Sequence, residues 1–502
     1  MKGDFSRNTF DPHKHFTRVL MQQGRVQLDA DWNEQSALLL HYARTLAADL
    51  IGPHGGPADE LGFEIEMDED EITVGPGRYY VAGIPCANEP KTDEDGNVVP
   101  FLYEDQPGYP FPDSDALEEG GHYLLYLDVW ERHVTHIEEP SIREVALGGP
   151  DTATRTQVIW QVKALSFQPG DEGEGNEARI EELEEELEEL QAALAEAEEA
   201  GNEARVEELQ ERIEEVEREI ERLREEEEAP DSSDCEGLLD DAQGRGEMER
   251  SSLRAEAYVE TPPEDACITP PEARYRGAEN QLYRVEIHDG STAYDGPTFK
   301  WSRDNGSVVA AWIGRRGNDL IVSGVRDRRR GFAAGEWVEL TDDAKELRGE
   351  PGTMVRVVKA EGDRVTIDPE TASDSVAWSE DLKNPKVRRW DHEASPPLGA
   401  VPLEEGKWLD LEDGIRVKFG TGGTYYTGDY WLIPARTATG DVEWPKELDD
   451  EGKVRRDADD NPIPEALPPR GITHYYAPLA IISDNGIERD CRRRFEPLAV
   501  PM

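Results

Sequence analysis

The chain has 502 residues, 111 of them acidic against 54 basic, for a net charge of −57. That length holds about three ordinary domains, and its longest apolar runs, such as 475–482, have the length of buried strands rather than the ~18 residues of a membrane helix. A free nucleic-acid partner is disfavoured, because phosphate binding needs a basic face.

Lysine is scarce, 13 against 41 arginines. The segment 176–228 carries 24 Glu and 6 Arg, a net of −18, which leaves −39 for the rest of the chain. The acid is therefore global. Such self-repulsion destabilises a compact state at low ionic strength, and molar salt shortens the Debye length to about 3 Å and removes most of it. The composition points to a protein adapted to high salt. The arginine cluster Arg489, Arg492, Arg493 and Arg494 is too short to reverse the field, and pairing with the chain's own carboxylates is its simpler role.

The first 35 residues lack the apolar run of about 7–15 residues that a secretory signal needs. Assembly in the cytoplasm is expected. Within them, 22–31 alternates Val26 and Leu28 with polar residues and predicts a short strand. Residues 31–50 then predict the one long helix of this part, with Ala37, Leu38, His41, Tyr42, Thr45 and Leu46 at helical spacing and Asp29 or Asp31 as cap. Gly52-Pro53 and Gly55-Gly56-Pro57 stop it. Residues 1–60 are read as an arm and helix that dock on a partner.

From residue 61 to 170 the pattern is β-rich. Residues 122–134 and 156–167 have the β-branched and aromatic content of a pleated, half-buried surface. Between 171 and 230, Ile180, Leu183, Leu187, Leu190, Leu194 and Ala197 step by 3, 4, 3, 4, 3, and Val206, Leu209, Ile213, Val216, Ile220 and Leu223 repeat the steps beyond Gly201. Two such seams predict an inserted antiparallel coiled-coil hairpin, each arm about 24 residues or roughly 36 Å long. Strand patterning resumes in 231–400 and in 401–502, the latter a C-terminal β-rich region. Within 231–400, Arg303-Asp304-Asn305-Gly306 separates two strand-like runs, and Asn-Gly is the strongest two-residue hairpin signal. The fold class is mainly β and multi-domain, built of small barrels or sandwiches.

No catalytic, cofactor-binding or metal residue is assigned. The carboxylates Asp29, Asp31 and Glu34 have the density of a cation site, but at a helix start they more simply supply a cap and a favourable first-turn charge. His13 with His15, and His133 with His136, come without a third ligand at recognisable spacing. Tyr425-Tyr-Thr-Gly-Asp-Tyr-Trp431 offers either a sugar-binding face or strand core. Cysteines 86, 235, 267 and 491 fit no zinc or redox motif. Cys235 and Cys267 flank a short return segment and are one candidate pair; four free thiols are the alternative.

Several stretches carry a resemblance. The opening MKGDFSRNTFDPHKHFTRVLMQQGRVQLDADWNEQ, the run Phe299-Lys-Trp-Ser-Arg-Asp-Asn-Gly-Ser-Val308, Arg388-Arg-Trp-Asp391, the stretch 427–439, His474-Tyr-Tyr-Ala-Pro-Leu-Ala480 and Asp490-Cys-Arg-Arg-Arg494 resemble an uncharacterised domain family of phage-tail-like contractile injection systems and phage-tail gene clusters. The likeness covers most of the chain outside the hairpin; with the acidity, it suggests a haloarchaeal member. It implies a non-enzymatic baseplate, fibre or tail-associated protein in a released particle. Its partners would be other particle subunits, a further copy of itself, or a cell-surface glycan or receptor. A glycan-binding or glycan-cleaving tail protein is the alternative.

Overall fold

A computed structural model describes residues 1–167, 235–240, 250–258, 274–324, 331–458 and 460–496, apart from 69–70, 93–95, 97, 119, 150, 395 and 397, together with scattered positions between 183 and 218. The chain is mainly β, with several sheets and few helices. The predicted coiled-coil hairpin lies for the most part outside the described residues.

The strand pair expected from composition forms as His122–Val134 against Arg155–Phe167. Alternation then sorts its side chains. Leu125, Leu127 and Val129 enter a core with Phe63, Tyr79, Ile84 and Trp160, while Leu124 and Tyr126 face the opposite side. The other half of this sandwich has the order Arg494–Phe495, His54–Pro57, Gly77–Val81, Ile84–Asn88. Its partner sheet is completed from the far end of the chain. Tyr475–Ser483 pairs with His122–Val134, and Gly486–Asp490 pairs with Tyr475–Ser483.

The second body is a closed barrel of Val309–Arg316, Asp319–Ser323, Arg364–Asp368, Thr353–Glu361, Trp337–Thr341 and Lys386–Trp390. Trp312, Leu320, Val338, Val355, Ile367 and Val387 fill it. The third body stacks the sheet Leu253–Ala257, Ile415–Phe419, Trp408–Asp410 on the sheet Val401–Pro402, Thr298–Ser302, Gln281–Ile287, Tyr430–Arg436, Asp441–Val442, over Tyr283, Phe299, Phe419 and Trp431.

Local expectations fared unevenly. Asn305 and Gly306 both adopt positive φ, 51° and 63°, as the Asn-Gly signal requires. The flanking strands do not pair with each other, however. Thr298–Ser302 stays in the third body and Val309–Arg316 enters the barrel, so the turn is the crossing between bodies. The strand expected over 22–31 is absent. Residues 25–28 run irregular and exposed into helix α1, Asp29–Ile51.

Cys235 bonds to Cys491, across a separation of 256 residues, and not to Cys267, which lies outside the described residues; Cys86 is a buried free thiol. The bond fastens the short helix at 235–240 to the first sandwich, where Cys235 and Leu239 pack on Leu124 and Ile481. Closing so long a loop is worth about 2–5 kcal/mol. Peptide mapping without reduction should recover Cys235 joined to Cys491. Reductant should lower the melting temperature of the native chain but not that of a C235S/C491S variant.

Candidate docking site: the N-terminal arm, its seat and helix α1

Residues 1–28 have no regular structure beyond a 3-10 turn at Pro12–Lys14, so their polar backbone groups need partners elsewhere. Helix α1 supplies several. Ser6 N donates to Asp29 Oδ2 at 2.8 Å, Thr9 Oγ1 to Glu34 Oε2 at 2.5 Å, and Val19 N to Gln35 Oε1 at 2.8 Å. Asp31 accepts from Leu28 N at 3.4 Å, which makes it the carboxylate that closes the helix start. Burial would raise the Asp29 carboxyl, but the hydrogen bonds from Ser6 outweigh it and hold it below its ordinary value. The acidic cluster therefore ties the arm to the helix.

The tip of the arm enters a seam between the third body and the barrel. In Gln281–Ile287 the alternation that sends Tyr283, Val285 and Ile287 into the core turns Arg284 and Glu286 to the other face. Glu286 lies opposite Lys300 on the neighbouring strand. From the barrel come Glu339, Arg388 and Trp390, on strands whose Val338 and Val387 point inward. Lys2 Nζ sits 2.9 Å from Glu286 Oε1, and Lys300 Nζ lies between Glu286 at 3.3 Å and Glu339 at 2.6 Å. Arg284 Nε donates to Glu286 at 2.5 Å, and Trp390 Nε1 to Glu339 at 2.9 Å. Asn305 Nδ2 grips the arm's backbone, donating to Met1 O at 3.2 Å and to Gly3 O at 2.8 Å.

Burial alone would raise the Glu286 carboxyl; Lys2, Arg284 and Lys300 together hold it below the carboxylate range. Glu339 is held well below its ordinary value against burial by Lys300 and Lys2. Burial draws the Lys2 ammonium down, opposed by both glutamates. Beyond the tip, residues 7–12 and Lys14 form one wall of a cleft of about 510 Å³, opposite Pro434, Trp444 and Pro468.

Helix α1 shows its large apolar residues to solvent. Against the body it presents Ala30 and Leu38, with Ala37, Ala47 and Ala48 half-buried. Its backbone at Arg44 comes so near the turn at Gly83 that a Cβ there would overlap the Arg44 carbonyl oxygen. On the outer side Trp32, Leu39, Tyr42, Leu46 and Leu50 lie along one stripe and are 47–69% exposed. The face expected from periodicity is thus divided. Leu38 packs inward, and Tyr42 and Leu46 point out; apart from Leu38, alanines line the body side.

The other singled-out residues lie apart. His13 and His15 are exposed. His133 meets Thr154 at 2.9 Å and His136 meets Asp151 at 3.1 Å, without a shared partner. Tyr425 and Trp431 belong to the third core, so they offer no open sugar face. Arg492 pairs with Asp490 at 2.7 Å and Glu64 at 3.4 Å, and Arg493 pairs with Glu236. Glu138, Asp343 and Glu346 converge closely enough to hold a cation. Lys386 Nζ takes that position, 2.5 Å from Glu138 and bonded to Glu346, and Arg132 bonds to Asp343 and Glu346. The helix Asp343–Arg348 that carries two of these acids was missed in sequence, although Asp342 caps it and Gly349 ends it in the left-handed region.

The buried His288 and His392 and the half-buried His133, beside these networks, make the fold acid-sensitive. Burial pushes His288 and His392 down to about 4 and His133 to about 3, each with help from neighbouring positive charge. Each stays neutral when folded and takes up a proton on unfolding below its ordinary pKa of 6.5. Stability present at pH 7 is therefore lost as pH falls from about 6.5 toward 4, on the order of 1 kcal/mol or more per histidine. Urea midpoints measured in molar KCl should drop between pH 7 and pH 5, before ordinary carboxylates titrate.

No curated protein matches the chain. Among solved structures, the crystal structure of TssK aligns at 11% identity over 80% of this chain and 98% of that one, with a TM-score of 0.15, too low to carry weight. A family profile described as a family of unknown function, DUF6519, matches residues 1–501. That span takes in the arm, its seat and all three β bodies: the chain belongs to the DUF6519 family.

Proposed function

We propose that this protein is a non-enzymatic structural subunit of a contractile phage-tail-like particle, a baseplate, fibre or other tail-associated component, and that it joins the particle through the outer face of α1. The stripe Trp32, Leu39, Tyr42, Leu46, Leu50 carries the reading. A soluble helix normally turns its large apolar residues toward its own core, and a contiguous apolar face left in water marks a protein-protein contact. The i, i+3, i+4, i+7 spacing of these anchors suits an apolar groove or a partner helix. The motif resemblance supplies the kind of assembly. The Cys235–Cys491 bond fits a particle that leaves the reducing cytoplasm, and the net charge of −57 fits a haloarchaeal host that keeps molar salt inside.

Replacing Leu39 and Leu46 together by Glu tests the contact. Both are exposed, so the isolated chain should lose no more than about 0.5 kcal/mol per site, whereas recovery in purified particles should fall to background. Incorporation at the native level would overturn the docking role. Circular dichroism from molar to millimolar KCl tests the salt adaptation: the native signal should be lost as salt is withdrawn, and a flat response would refute it.

A further inference from the structure

The seam that holds the arm tip has the construction of a ligand site. Asn305 is 1% exposed, Glu286 2% and Glu339 3%, and the arm supplies partners that two of them use directly. Asn305 Nδ2 spends its donors on Met1 O and Gly3 O, and Glu286 accepts from Lys2. Gly306 floors the site, where a Cβ would lie 3.6 Å from the Lys2 Cβ. Lys2 Nζ also stands 5.6 Å from the Trp390 ring. Buried groups of this kind are costly when a partner is withdrawn, so the site demands an occupant.

Outside the seat, helix α1 buries little against its own body. Arm and helix are tied to each other by the Ser6–Asp29, Thr9–Glu34 and Val19–Gln35 bonds, so residues 1–51 behave as one unit. Besides the seat, polar links hold that unit to the body: Arg44 to Glu131 at 3.0 Å, Arg7 to Glu443 at 3.3 Å, and Arg436 to Ser6 O at 3.0 Å. The helix buries only Ala30 and Leu38. It ends at Gly52, whose φ of 98° favours glycine and whose Cβ direction is open. A specific seat, a preassembled ligand unit and a glycine at the junction are the parts of an exchange.

We propose that the seat formed by Arg284, Glu286, Asn305 and Glu339 is a binding site for the Met-Lys-Gly segment, and that in the assembled state it receives this segment from a second copy of the chain, residues 1–51 swapping about Gly52. Every seat contact made within one chain is remade between two, so the swap is balanced in contacts. The high effective concentration of neighbouring subunits offsets the entropy of association. Exchange is a property of the chain itself and does not require the particle to be its destination.

Phe5 reports it. Its ring lies 6.1 Å from that of His133, which belongs to the body and not to the swapping unit. The full-length chain with p-benzoylphenylalanine at position 5 is irradiated in molar KCl, in monomeric and oligomeric fractions. Exchange predicts covalent dimers from the oligomers, with the link mapping to the strand around His133, and internal links at monomer mass from the monomers. Adding Lys2→Met should lower internal and dimer links alike, at least about tenfold, because the buried Glu286 loses its Lys2 partner in either arrangement. Internal links alone in every fraction would overturn the exchange. So would dimer links that map elsewhere or survive Lys2→Met undiminished. Gel filtration and circular dichroism of each variant separate a lost link from a lost fold.

Discussion

The chain of charges that runs from the half-buried Lys2 through the buried Glu286, Lys300 and Glu339 is the interaction on which the arrangement of bodies rests. It begins on the arm, crosses the third body's sheet and ends on the barrel. Removing one partner of a buried pair leaves an uncompensated charge and costs about 3–5 kcal/mol, so each contributing element is held where the others need it. The constraint explains strands that look wrong in isolation. Lys386–Trp390, reading Lys-Val-Arg-Arg-Trp, is buried along its whole length. Val387 fills the barrel, while Lys386, Arg388 and Trp390 face the seams, where Glu138, Glu346 and Glu339 meet them.

This use of charge differs from the surface excess of acid. Acids outnumber bases two to one, yet a few of the scarce bases sit deep in the interior seams. Lys300 and Lys386 are 2% and 1% exposed, and Arg284, Arg388 and Arg389 are nearly as deep. Inside, each base has acid partners; outside, acid is left in excess for salt to screen. Acid attacks the first arrangement by protonating buried histidines, and dilution attacks the second. The two failures have separate physical causes and are separable by experiment.

What the sequence made legible was local. Residues 122–134 and 156–167 carry β-branched alternation, which demands a half-buried sheet wherever it lies, and they formed one. Asn305-Gly306 encodes two positive φ values but says nothing of which strands the turn joins. The periodicity of 31–50 shows that apolar residues share a side, not that the body lies there; alanines at 30, 37, 47 and 48 were the sign of the packed side. Nothing local announces that Cys235 meets Cys491, or that Lys2 meets Glu286. Among 111 acids, only three-dimensional placement distinguishes the one that takes the arm.

The return of the last strands to the first sandwich also sets an order of events during synthesis. Tyr475–Ser483 lies between His122–Val134 and Gly486–Asp490, so the sheet begun near residue 122 stays open at that edge until the ribosome has made nearly everything else. The barrel, drawn wholly from 309–390, closes earlier. The earliest-translated β body is thus the last to fold, and an unpaired edge of His122–Val134 waits throughout, the kind of edge that invites wrong pairings. A chain interrupted before residue 475 would contain a complete barrel and an open half-sandwich. That makes such a fragment the natural target for whatever clears failed copies.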